Sequence, residues 1–131
     1  KFGVIPVIET HGGVNGYDDG VTHFTSVSTK METLLDILSK VKGAKLNFDP
    51  ANVVATGVTD INSYYKKIEN YAVYFHLKDF KIQDNKAKYE YPCKGLLNKS
   101  LVFEIIKKYN AEIPIILEEV KENKNEKGMI N

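Results

Sequence analysis

A single cysteine, Cys93, stands in the 131-residue chain. One thiol cannot make an internal disulfide, so a reducing compartment, the cytoplasm, is the expectation. Cys93 follows Pro92 in a loop-like stretch with no obvious base beside it. It reads as an incidental thiol, since a nucleophilic cysteine needs a partner that makes the thiolate. No apolar run approaches the roughly 20 residues that span a bilayer, and no signal-peptide pattern is seen, so no membrane partner is expected. Charge of one sign is also missing: 18 basic residues meet 17 acidic ones, for a net charge of +1. That balance offers no basic field to nucleic acid and no acidic tail. Neither G-x-G-x-x-G nor a P-loop occurs, and His11-Gly12-Gly13 is too short to cradle a phosphate.

What remains is ordinary soluble-domain composition, 43% hydrophobic and 27% charged. The length suits one domain with a real core, residues 1–131. The first residue is lysine and strand-like sequence follows at once, so the natural N-terminus is expected upstream. Only 121–131 is polar enough to be loosely held.

The most informative stretch is Tyr71–Phe80, YAVYFHLKDF, a run of strand formers that ends in a histidine and a charged pair. Three other apolar runs end in acids: Val4–Glu9, with Pro6 weakening it as a strand, Lys45–Asp49 and Ile113–Glu119. Between them lie a long glycine-rich loop at Thr10–Gly20 and an amphipathic helix. In that helix Met31, Leu34, Leu35, Leu38 and Val41 share a face, Ser26 or Ser28 caps, and Gly43 stops. A loop running to Thr59 follows, then a short helix over Ile61–Asn70 capped by Asp60. After Phe80 the sequence reads as a small hairpin or irregular excursion turning at Asp84-Asn85. A third helix runs from a cap at Asn98 or Ser100 to Tyr109-Asn110. The tyrosines Tyr64, Tyr65, Tyr71 and Tyr74 are expected to pack rather than to form a stacking platform.

The order βαβαβαβ predicts a parallel α/β fold, either a small open sheet or half of an eight-stranded barrel. Both folds place function at the C-terminal strand ends. There the chain offers Glu9, Asp49, His76 and one of Glu118 or Glu119, since alternation sends one inward and one outward. Each has a plainer role when taken alone: a cap, the start of a turn, a satisfied core histidine. Three carboxylates and an imidazole converging on one rim instead predict a divalent-metal site, with manganese, magnesium, cobalt or zinc all compatible.

Four features in this order, IETHGG at Ile8–Gly13, NFDPAN at Asn47–Asn52, FHLKD at Phe75–Asp79 and ILEE at Ile116–Glu119, resemble the C-terminal half of the sugar phosphate isomerase/epimerase superfamily. These are the xylose-isomerase-like TIM barrels. The likeness runs from about Val4 to Glu119 and implies the C-terminal half of a (β/α)8 barrel, with four strands near 4–9, 45–49, 71–77 and 113–119 and three to four helices. It implies that Glu9, Asp49, His76 and Glu118 are the metal ligands, that Glu9 and Glu118 are also the catalytic acid/base pair, and that His11, Asn52, Lys78 and Asp79 bind substrate. The implied activity is isomerisation or epimerisation of a small sugar or sugar phosphate through an enediolate. The implied alternative is a non-catalytic half-barrel that pairs with a missing N-terminal half or with a second copy. Two departures are visible: Asn52 stands where many members carry histidine, and Phe80-Lys81 where many carry arginine. The further ligands of the AP endonuclease branch are not found, so DNA repair is disfavoured.

Overall fold

The computed structural model describes residues 3–97, 99, 102–104, 107 and 113–118. Strand β1 covers only Val7–Glu9. Pro6 has no N–H to give to a ladder, and contributes its carbonyl instead, which accepts from Lys45 N at 2.9 Å.

The stretch expected as one long loop is a hairpin, β2 (Gly13–Tyr17) and β3 (Gly20–Phe24). Its glycines concealed the strand pattern, and at Gly13 the missing side chain leaves room for a neighbouring ring. Gly13 lies opposite Phe24, and a Cβ there would meet the Phe24 ring at 1.8 Å.

Helix α1 (Met31–Lys40) buries Leu34 and Leu38. Its N-cap is Lys30, with no side-chain cap. Ser26 and Ser28 are used elsewhere: both hydroxyls donate to the His11 carbonyl, and Ser28 Oγ accepts from His11 N at 2.9 Å. Strand β4 (Lys45–Phe48) runs straight into a helix that periodicity did not show, α2 (Pro50–Ala55). Six residues are too few for a periodic signal, but Asp49 at the N-cap and Pro50 in the first turn mark its start. Helix α3 (Ile61–Ile68) forms as expected, Asp60 accepting from Ser63 N at 2.9 Å and burying Ile61, Tyr64, Tyr65 and Ile68. A 3-10 turn at Glu69–Tyr71 delays β5 to Ala72–Leu77.

Strands β6 (Asp79–Gln83) and β7 (Lys86–Glu90) are the expected hairpin. Asp84 and Asn85 both have positive φ, 53° and 59°, as a type I′ turn demands. Strand β8 is Ile115–Leu117. The helix expected between Asn98 and Asn110 lies for the most part outside the described residues, as do Glu119 and the tail at 121–131. No helix among the described residues is long and apolar enough to cross a membrane.

β1, β4, β5 and β8 pair in that order as a parallel sheet. The two hairpins join through Val21 and Ala87 into a second, antiparallel sheet in the order β2-β3-β7-β6, which the sequence did not reveal. Alternation divides the parallel sheet into two faces. Leu46, Phe48 and Phe75 point to α1 and α3, where the main core holds Leu34, Tyr65 and Ile68. Phe48, Tyr65 and Phe75 meet there with ring centroids 4.9–5.6 Å apart. Tyr64 packs in the same core, its hydroxyl donating to the Thr29 carbonyl at 3.1 Å, whereas Tyr74 is exposed. Each fully buried Leu or Phe there is worth about 1.5–3 kcal/mol. A second core, with Ala51, Phe80, Ala87 and Leu97, lies between α2 and the hairpins. The opposite face of the parallel sheet carries Glu9, Asn47, Tyr74, His76 and Ile116 in register. The candidate site is built on the C-terminal rim of that face.

Candidate metal centre

Glu9 closes β1, Asp49 follows β4, His76 is next to last in β5 and Glu118 follows β8. One potential ligand atom from each lies within 4.8 Å of all the others. His76 Nδ1 is 3.3 Å from Glu9 Oε1 and 3.1 Å from Glu118 Oε2, so the imidazole presents this nitrogen to the two glutamates. Asp49 is fully buried, while the Glu9 and Glu118 side chains are 29% and 34% exposed. The set has a buried anchor and two reachable carboxylates.

Asp49 is held on every side. As N-cap of α2 it accepts from Asn52 N at 3.0 Å, and its main chain is bridged by Thr10 Oγ1, which accepts from Asp49 N at 2.7 Å and donates to the Asp49 carbonyl at 3.2 Å. Burial pushes its carboxyl up to about 6, against the opposing pull of Lys78. Asn52 Nδ2 reaches Asp49 Oδ2 at 3.1 Å and Glu9 Oε1 at 3.4 Å.

Lys78 supplies the cluster's own cation. Its Nζ lies 3.1 Å from Asp49 Oδ2 and 2.8 Å from Glu118 Oε2, and it is 2% exposed. Burial alone would lower the ammonium pKa, but the two carboxylates outweigh it and hold the pKa above the ordinary lysine value. Glu118 is raised by burial and pulled lower on balance, chiefly by Lys78 and then by His76.

Three carboxylates against one ammonium leave two negative charges with His76 neutral, which a divalent ion would neutralise. Oxygen donors with one imidazole suit manganese, magnesium, cobalt or zinc. The residues therefore fit a divalent ion, which Glu9, Asp49, His76 and Glu118 would hold.

The residues expected to bind substrate separate. Asn52 is fully buried, and its Nδ2 meets Asp49 and Glu9. Lys78 is buried between Asp49 and Glu118. Asp79 is fully buried and points away from the cluster: its oxygens accept from Phe80 N at 2.8 Å, Gly95 N at 2.8 Å and Leu97 N at 3.0 Å. Through these three amides Asp79, a residue expected to bind substrate, ties the 95–97 segment to the start of β6. His11 is exposed, and its Nδ1 turns to the neighbouring Gly12 carbonyl at 2.6 Å. Two residues of the site were not singled out in the sequence. They are Thr10, and Asn47, whose Nδ2 lies 2.9 Å from His76 Nε2. Alternation back from Asp49 would have placed Asn47 on the same face. Cys93 stays outside this chemistry, and burial pushes its thiol up, away from the thiolate.

No curated protein matches the chain significantly. A solved structure, titled as the crystal structure of the probable 3-DHS dehydratase AsbF involved in petrobactin synthesis, from Bacillus anthracis, is similar with a TM-score of 0.66 at 12% identity. The match covers 91% of this chain and 44% of that one, so this chain spans less than half the length of its neighbour. At that identity the likeness speaks for the fold. The family model for xylose isomerase-like TIM barrels matches residues 1–130. The chain belongs to the xylose isomerase-like TIM barrel family, and its four parallel strands have the architecture of half such a barrel.

Proposed function

We propose that this chain carries the C-terminal half of a cytoplasmic, sugar-modifying enzyme, a divalent-metal-dependent isomerase or epimerase of a small sugar or sugar phosphate that moves a proton next to a carbonyl. The observation that carries the reading is the convergence of four strand-end donors within 4.8 Å. Bound there, a divalent ion would act as a Lewis acid towards the substrate carbonyl and offset the charge of the enediolate. Glu9 and Glu118 are the catalytic pair: both are reachable from solvent and both flank His76 Nδ1, so one can remove the proton and the other return it. Asn52 and Lys78 hold the pair, the asparagine through its amide contact with Glu9 and the lysine through Glu118, and Asp49 anchors both of them. Lys78 keeps Glu118 ionised and ready to accept a proton.

The metal part is tested by elemental analysis of the purified protein beside Glu9→Gln and His76→Ala. Both variants are expected to lose most of the bound ion, and metal content unchanged in both rejects the site. The chemical part is tested by incubating ketose and ketose-phosphate substrates in deuterated water. Deuterium entering the carbon beside the carbonyl supports proton transfer. Loss of water in place of epimer formation would move the reading to a dehydratase, the activity in the name of the Bacillus anthracis neighbour.

A second reading, a half-barrel that is inactive by itself, is favoured by the sheet edges. β1 and β8 are the outer strands of the parallel sheet, and apolar residues on and before them are exposed: Val4 at 80%, Ile5 at 60% and Leu117 at 65%. Such edges invite pairing with another copy or with an N-terminal half. Gel filtration of the chain alone is expected to show a dimer or larger species, and a stable monomer would count against this reading.

A further inference from the structure

Asn47 meets the metal cluster through the back of the imidazole. Its Nδ2 lies 2.9 Å from His76 Nε2, while its Oδ1 is buried and meets no hydrogen-bond donor among the described residues. Asn47 itself is 9% exposed. An amide nitrogen only donates, so His76 Nε2 must accept, and a neutral ring then carries its proton on Nδ1. That proton points at Glu9 and Glu118, at 3.3 and 3.1 Å, which suits the carboxylates when no ion is between them.

The same arrangement is wrong for metal binding. Nδ1 is the nitrogen that faces the other three donors, and a ligand nitrogen needs its lone pair. The proton must then sit on Nε2, and Nε2–H needs an acceptor where Asn47 now offers a donor. Asparagine has both groups on one planar amide. A half-turn about its last side-chain bond brings Oδ1 to Nε2 with little change in shape. Leucine has neither group, and aspartate has only acceptors.

We propose that Asn47 is a positioning residue for His76: it selects the imidazole tautomer, donating to Nε2 in the metal-free site and turning its amide to accept from Nε2–H when a divalent ion enters. No net proton is taken up, since the one leaving Nδ1 is matched by the one gained at Nε2. The proposal rests on the metal reading above, and it adds a role for a residue that touches neither ion nor substrate.

The test uses the full chain with zinc as the only ligand. Nitrogen-15 chemical shifts of the His76 ring report the tautomer: Nδ1–H is expected without zinc and Nε2–H with it. Zinc titration by calorimetry gives the second readout. Asn47→Leu is expected to lose about 10–100-fold in zinc affinity, the range for removing a partner behind a ligand histidine. Asn47→Asp, which can only accept, is expected to bind within about threefold of wild type or better and to show Nε2–H even without zinc. A merely structural Asn47 would leave the ring tautomer alike in all three proteins. Zinc affinity preserved in Asn47→Leu, or Nε2–H already present in metal-free wild type, overturns the proposal. Should Asn47→Leu not fold, a loss of about tenfold or more in Asn47→Asp overturns it as well. If wild type binds no zinc, manganese or cobalt, the metal reading fails and this inference falls with it. If wild type binds and Asn47→Leu binds equally, only the role of Asn47 is lost.

Discussion

Asp49→Ala is expected to cost the metal-free protein about 3–5 kcal/mol of unfolding free energy, the range for removing one partner of a buried ion pair. Adding Lys78→Met to the same chain should return a good part of that loss. Lys78 is 2% exposed and its ammonium lies 3.1 Å from Asp49 Oδ2, so the single substitution takes from a buried cation its fully buried counter-charge and leaves the more exposed Glu118 carboxylate beside it. Methionine keeps the stem and removes the charge. A remainder of about 1 kcal/mol should persist in the double variant, because Asp49 also caps α2 through Asn52 N at 3.0 Å. Asp49→Asn separates the two terms further, since its amide oxygen can still cap. Urea unfolding of wild type, both single variants and the pair, all with chelator present, closes the cycle. Purely additive costs would mean that Asp49 and Lys78 do not act on each other, and the description of a cluster with its own cation would be wrong.

Asp79→Ala is expected to destabilise the protein by about 3 kcal/mol or more while leaving metal affinity nearly unchanged. The carboxylate accepts three backbone amides, from Phe80, Gly95 and Leu97, and each bond to a charged acceptor contributes about 1.5–3 kcal/mol. The contact is close and leaves no room to relax: a Cβ at Gly95 would stand 1.9 Å from the Phe80 carbonyl oxygen, and Leu96 N donates to that oxygen at 2.6 Å. Alanine strands the buried amides of Phe80 and Leu97, while Gly95, which is exposed, can turn to water. Asp79→Asn keeps an acceptor at one end but turns a donor towards an amide at the other, and should cost about 1–3 kcal/mol. Chemical denaturation gives the stability, and hydrogen exchange at Gly95 and Leu97 locates the damage. A variant with full stability and lost substrate turnover would instead place Asp79 in the substrate site.

Asp49 and Asp79 look alike in the sequence, each a strand-end acid in a recognisable motif, and the fold separates them. Asp49 falls on the face that carries Asn47, whereas Asp79 already begins the next strand, one position beyond the break at Lys78. Parity along a strand can be counted from sequence, but the place where one strand ends and another starts depends on pairing partners far along the chain.

The sequence by itself determined the parallel βα order, the positions of α1 and α3 and the place of the turn at Asp84-Asn85, because apolar periodicity, capping residues and turn chemistry are local properties. It also identified Glu9, Asp49, His76 and Glu118, the last chosen by family likeness. Only the tertiary structure decided that the glycine-rich stretch after Glu9 is a hairpin, since its strands are defined by pairing with each other and, through Val21, with β7 rather than by their own apolar content. Only the tertiary structure placed Lys78 and Asn52 inside the cluster and Asn47 behind His76. A polar side chain written in a sequence is equally compatible with solvent and with burial, and the difference is made by which charges and amides the other strands bring to meet it.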